Sequence, residues 1–333
     1  MKFSISALKQ VQPILSFKNK LSMVNVNSFL YPQEKVVFVM GATGSGKSRL
    51  AIDLATRFQT EIINSDKIQV YKGLDVLTNK VTPQECRGVP HHLLGVFDSE
   101  AGNLTATDFT NLASQKISTL SANNKLPIVA GGSNSYIEAL ANHSSGLLLN
   151  NYKCCFIWVD VSLPVLNSFV SKRVDRMMEA GLLEEVREVY DPKADYSVGI
   201  RRAIGVPELH EYLRYESLVD CVTKRKMLDV AVKKIKQNTE ILACRQLLKI
   251  QRLSKKWKSC MHRVDATEVF LKRNEEEADE AWENLVARPT KRIVDKFCNS
   301  HHVMRNNDVE HCLTTIGAAS YGGGSGSRAH NMI

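Results

Sequence analysis

The sequence predicts an α/β fold, a parallel sheet flanked by helices, and three observations predict it. Short apolar runs at 36–40, 61–64, 127–130 and 155–161 alternate with helical patterns, as strand–helix–strand units do. The first run leads straight into Gly41-Ala42-Thr43-Gly44-Ser45-Gly46-Lys47-Ser48, a G-x-x-x-x-G-K-S phosphate loop. The other chemistry-bearing motifs follow the ends of later runs, where ligands bind in open parallel sheets. The expected class is P-loop NTPase-like, with a smaller, mainly helical substrate-binding subdomain.

In chain order, residues 1–33 come first, with four lysines, five serines and no Asp or Glu. That is the composition of an organelle transit peptide, and its lack of arginine favours a plastid over a mitochondrion, with a cytoplasmic leader as the alternative. Residues 34–165 make the phosphate-loop core. In the loop, glycine angles let successive amides point at phosphate oxygens, Lys47 adds a positive charge, and the Ser48 hydroxyl is placed to ligate Mg²⁺. A helix over about 48–58 follows, with Leu50, Ile52, Leu54 and Ala55 on its buried face, and its N-terminal dipole meets the same anion.

The second strand ends in Asn64-Ser65-Asp66, which puts a carboxylate across the sheet edge from the loop. Asp66 can ligate magnesium through water, accept a proton from a nucleophile or cap a helix. Gly131-Gly132-Ser133 follows the third strand and opens a helix, so Ser133 is either a second anion contact or an N-cap. The run 154–160 ends in Asp160, the form of a magnesium-ordering acid, which keeps a nucleotide kinase or ATPase as a rival class.

Residues 166–225 read as a helical substrate-binding region and 226–288 as basic helices completing the core. No Gly or Pro occurs from 208 to 288, and Leu228, Val232, Ile235, Leu242 and Leu253 recur near helical spacing. A short piece at 261–266 is expected to return to the sheet. Of the net charge of +9, the stretch from Lys224 to Arg263 carries 13 Lys/Arg against Asp229 and Glu240, a balance that suits polyphosphate, nucleic acid or a solvated face. Residues 289–333 read as a polar, disordered tail. Its Cys298, His301, His302, His311 and Cys312 match no common zinc spacing.

At 333 residues and 44 % hydrophobic content the chain can build a sizeable core. No apolar run approaches the roughly 20 residues that span a bilayer, so no membrane partner is expected. Eight scattered cysteines fit a reducing compartment.

Together these motifs resemble isopentenyltransferases, and more closely the plant-type adenylate isopentenyltransferases that make cytokinin precursors. The resemblance rests on the phosphate loop, Ile63-Asn64-Ser65-Asp66 with Tyr71, Pro90-His91-His92-Leu93-Leu94, Leu104-Thr105-Ala106 and Gly131-Gly132-Ser133-Asn134-Ser135-Tyr136. It continues through Arg173-Val174-Asp175-Arg176-Met177, Gly181-Leu182, Glu184-Glu185-Val186, Ala203-Ile204-Gly205 and Asn238-Thr239 with Arg245-Gln246. It implies transfer of a dimethylallyl group from dimethylallyl diphosphate to N6 of ATP, ADP or AMP. Asp66 would be general base, and Lys47, Arg173, Ser133 and Mg²⁺ would stabilise the departing diphosphate. The family's other branch modifies adenine 37 of tRNA and carries a long insertion before the strand that begins near residue 154. Here only 141–153 lie there, so no tRNA partner is expected.

Overall fold

The computed structural model describes residues 34–98, 102–142 and 152–300. Six parallel strands form one sheet: β1 Glu34–Gly41, β2 Ile62–Asn64, β3 His91–His92, β4 Ile128–Ala130, β5 Tyr152–Asp160 and β6 Met261–Asp265. Their order is β3-β2-β4-β1-β5-β6, so β4 lies between the strands that carry the phosphate loop and Asp66. Val39 pairs Ala130, and Ala130 pairs Asn64. That register brings three strand ends level at one edge. The four expected strands and the extended piece near 261–266 are all present. The two-residue β3 was not expected, because its His-His pair has no strand propensity and is held by pairing with Ile62 and Ile63.

Helices cover both faces: α1 Lys47–Phe58, α2 Pro83–Cys86, α3 Ala106–Ala122, α4 Asn134–Ala141, α5 Leu163–Glu179, α6 Leu182–Glu188, α7 Val206–Tyr215, α8 Cys221–Lys256, α9 Thr267–Leu271, α10 Glu275–Trp282 and α11 Arg288–Asn299. A parallel sheet buried on both faces needs apolar residues in both directions. In β5, Cys154, Phe156 and Trp158 face one core while Cys155, Ile157 and Val159 face the other. Burial pushes both thiols up to about 12, so they behave as small apolar residues. Phe38, Phe156 and Trp257 stack in series, with ring centroids 4.7 and 4.2 Å apart, and fasten the end of α8 to the centre of the sheet.

The helices of 163–215 belong to the same compact unit as the sheet. Helix α8 runs 36 residues, across the 225/226 boundary drawn from sequence. Its buried seam is Ala231, Ile235, Thr239, Ala243, Ile250 and Leu253. Leu242, expected on that face, is 36 % exposed, because the four-residue step from Thr239 lands on Ala243.

The tail begins later than the sequence implies. Residues 288–299 form α11, with Thr290 and Val294 buried and Ile293 and Phe297 packed on the same core. These apolar positions, spaced by three and four, give the segment a core face despite its charge. Residues 1–33 and 301–333 lie outside the described residues, and with them the leader, His301, His302, His311 and Cys312. Among the described residues no cluster could hold a metal ion through His, Cys, Asp or Glu, and no helix is long and apolar enough to cross a membrane.

The aromatic stack supplies the first test. Phe156→Ala should cost about 3–5 kcal/mol of unfolding free energy by denaturant titration. A cost below about 1 kcal/mol, the level of an ordinary surface change, would mean the stack is not part of the core.

Candidate active site

The site begins where β1 ends. Gly46 has φ +89° and serves as N-cap of α1 without a side-chain cap, so the first amides of the helix and its positive dipole end stay directed at the loop. A Cβ at Gly46 would lie 2.7 Å from the Trp282 ring. Trp282 is fixed by donating its indole N–H to Asp53 at 2.8 Å, with the Arg49 guanidinium 4.6 Å above the ring. The loop therefore has a solid back wall.

Two cations stand at this loop. Lys47 donates to the Ala42 carbonyl at 2.8 Å. Burial pulls its proton affinity down to about 8, opposed by the charge of Asp66 and reinforced by that of Arg173. Arg173, from α5, donates through Nη2 to the Thr43 hydroxyl at 3.0 Å, while its Nε is buried without a partner among the described residues. Burial lowers it to about 10, with Arg176 adding to the effect. Asp175, on the same helix, holds Lys236 at 2.6 Å, and Arg173 forms no ion pair among the described residues. Two half-buried cations beside open amides, with no carboxylate ligand among the described residues, have the chemistry to take a multiply charged anion.

Asp66 lies across the gap. Its Oδ1 accepts the amides of Ile68 and Gln69 at 2.9 and 3.3 Å. These bonds close a turn over 67–70, and no helix starts there, so Asp66 is not a helix cap; Oδ2 makes no hydrogen bond among the described residues. Ser133 belongs to this side: its hydroxyl accepts the Lys67 N–H at 2.9 Å, and its own N–H donates to the Ser65 carbonyl at 3.1 Å. The Ser133 hydroxyl proton remains free to donate. Ala42, Thr43, Gly44 and Ser45 occupy the loop between Gly41 and Gly46, with the Ser45 hydroxyl buried and unpartnered among the described residues. Ser48 is exposed at the start of α1 and makes no hydrogen bond among the described residues. The Ser48 hydroxyl and the second Asp66 oxygen are hard oxygen donors of the kind that fit Mg²⁺.

A second group of cations was missed. Burial lowers the pKa of Lys67, with the charges of Arg202 and Lys249 adding and Asp66 opposing. The Lys67 ammonium sits 5.2 Å from the centre of the Tyr136 ring, and Arg202 Nε is buried without a partner among the described residues. Lys67 follows Asp66 directly and could have been noticed. Arg202 gives no sequence signal, since it reaches the site from the 3₁₀ turn Gly199–Arg202. Other motif residues prove structural. Glu185 accepts the amides of Val76 and Leu77, both at 2.9 Å, and Asn238 donates to Glu208 at 2.6 Å. Asp160 accepts from Arg263 Nε at 2.6 Å, so the acid that kept a kinase in play is already engaged.

A family profile described as IPP transferase matches residues 69–148 and 141–252. The chain is 86 % identical over 333 residues to the Arabidopsis thaliana protein named adenylate isopentenyltransferase 7, mitochondrial, covering all of both chains. It is 58 % identical over 308 residues to Arabidopsis thaliana adenylate isopentenyltransferase 5, chloroplastic, covering 91 % of this chain and 92 % of that one. Among solved structures it resembles a eukaryotic dimethylallyltransferase acting on tRNA at 22 % identity and a TM-score of 0.67, covering 82 % of this chain and 81 % of that chain. At that identity the likeness concerns the fold.

A depressed Lys47 makes anion binding depend on pH. An anion at the loop raises the lysine's pKa, so binding takes up a proton above about 8. By calorimetry with inorganic diphosphate, Lys47→Met should weaken binding about tenfold or more at pH 7, and the gap between the two proteins should narrow by pH 9.5. A gap constant across that range contradicts the assignment.

Proposed function

We infer the function from one premise: this chain belongs to the IPP transferase family. It transfers the dimethylallyl group of dimethylallyl diphosphate to N6 of a free adenine nucleotide and releases diphosphate, the first step of cytokinin biosynthesis. The observation that carries this reading is the set of Lys47, Arg173 and loop amides, neither cation hydrogen-bonded to a carboxylate among the described residues, together with an Asp66 oxygen left without a hydrogen bond.

The chemistry follows from that placement. As the allylic C–O bond breaks, charge accumulates on the diphosphate, and a preorganised cationic cradle stabilises it more than it stabilises the intact donor. Asp66, held by two local amides, accepts the N6 proton as the adenine nitrogen attacks. Ser133 keeps the Asp66 turn in place and offers its hydroxyl proton to either substrate. Ser48, with Asp66 through water, would hold Mg²⁺, which supplies charge neutralisation to the diphosphate when bound. Lys67 and Arg202, beside Asp66, suit the phosphates of ATP, ADP or AMP, while Lys249 is already paired with Glu138 at 2.7 Å.

Transfer to tRNA is the second reading. Ten residues separate α4 at Ala141 from β5 at Tyr152, too few for a domain that grips an anticodon arm, which favours the free nucleotide. The lysine- and serine-rich leader fits an organellar address. The names of the relatives divide between mitochondrion and chloroplast, so the lack of arginine does not select the plastid.

Incubation with dimethylallyl diphosphate and, separately, AMP, ADP, ATP and an anticodon-arm RNA tests the reading. Prenylated nucleotide should form and the RNA should stay unmodified, with Asp66→Asn lowering kcat about 10²–10⁴-fold. Modification of the RNA alone, or full activity in Asp66→Asn, overturns it.

A further inference from the structure

Gln246 is a polar residue in an apolar seam. At 3.6 residues per turn it falls on the buried face of α8, between Ala243 and Ile250. A side-chain amide on such a face is costly unless both its ends are bonded. Here both are, to two different loops. Oε1 accepts the Thr43 N–H at 2.7 Å, and Nε2 donates to the Gly132 carbonyl at 2.9 Å. Thr43 belongs to the phosphate loop after β1, and Gly132 to the turn after β4 that lies against Asp66. A Cβ on residue 132 would come 2.7 Å from Gln246 Nε2 and 3.3 Å from Asp66 Oδ2, so glycine there lets amide, turn and carboxylate close together. Asn134, in the first turn of α4, adds a 3.3 Å contact to the Gln246 main-chain carbonyl.

Resting on the reading above, we propose that Gln246 is a positioning residue for the transfer. It is a strut that fixes the phosphate loop against the turn beside Asp66, and so sets the gap between the breaking C–O bond and the attacking nitrogen. It also removes the Thr43 N–H from the amides that can face a phosphate, while the Thr43 hydroxyl goes to Arg173. Donor grip then rests on Lys47, Arg173 and the amides beyond Thr43, to none of which Gln246 is hydrogen-bonded. Loss of the strut leaves the grip and loosens the alignment.

Gln246→Met keeps the length of the side chain and removes both hydrogen bonds. It should lower kcat about 10²-fold, the scale of a 1 Å misplacement, while KM for dimethylallyl diphosphate and the thermal midpoint stay near those of the unmodified protein. Read on the protein without substrates, hydrogen exchange at the Thr43 amide should accelerate while exchange in β1 holds. An unchanged kcat overturns the proposal, as does a loss that vanishes when rates are divided by the folded fraction, or Thr43 exchange equal in both proteins. If the unmodified enzyme makes no prenylated nucleotide, the functional reading fails by itself, and the exchange measurement still decides whether the strut exists.

Discussion

Two half-buried cations with no carboxylate partner among the described residues are the constraint from which the rest follows. Lys47 and Arg173 are each held below their ordinary proton affinity by burial, a cost a folded protein carries where an anion is to be bound. The features around them suit such an anion. The helix start leaves its amides open, Trp282 backs the loop at Gly46, and Arg173 hydrogen-bonds to the loop itself. The same loop geometry serves phosphoryl transfer in other proteins. What differs here is across the gap, where the acid at the end of β5 is committed to Arg263 and Asp66 Oδ2 makes no hydrogen bond among the described residues.

Sheet order turns this chemistry into distance. Because β4 lies between β1 and β2, the donor loop and the Asp66 turn are each one strand from the Gly131-Gly132-Ser133 turn, and that turn touches both. Ser133 ties it to the Asp66 side and Gln246 ties it to the loop. Helix α8 thus does more than cover a face: its buried seam ends in the Phe38–Phe156–Trp257 stack, and partway along it carries the amide that spans two strand ends. Packing energy and catalytic geometry share one element, so the spacing of the site inherits the rigidity of the core.

Much of this was legible in the sequence because its signals are local. A strand, a glycine-rich turn and a helix start are neighbours along the chain, so the phosphate loop, Lys47 and the four main strands could be placed, as could Asp66 at the tip of the second. What depends on contacts between distant segments was not legible. Arg173 could be named only through resemblance, since its turn toward Thr43 rather than Asp175 is decided by where α5 packs. Gln246 and Trp282 reach the loop, and Arg202 reaches Lys67, from segments more than 100 residues downstream of Lys47; Gln246 could be named only within the Arg245-Gln246 motif of the resemblance, and nothing in the local pattern of the other two distinguishes them. Leu242 was placed on the buried face by hydrophobicity alone, whereas small Ala243 lies there because α8 packs closely against its neighbours. The helix at 288–299 was hidden by its charge, its apolar residues being few but correctly spaced.

The central claim is that the loop holds a leaving group and not a phosphoryl donor. Phosphorus NMR of a reaction containing dimethylallyl diphosphate, ATP and Mg²⁺ reads this directly. The account predicts that inorganic diphosphate appears in step with N6-prenylated ATP, while the three phosphorus resonances of the nucleotide keep their combined intensity. Decay of the γ-phosphate signal to ADP or to a phosphorylated acceptor, with no prenylated adenine formed, would contradict it.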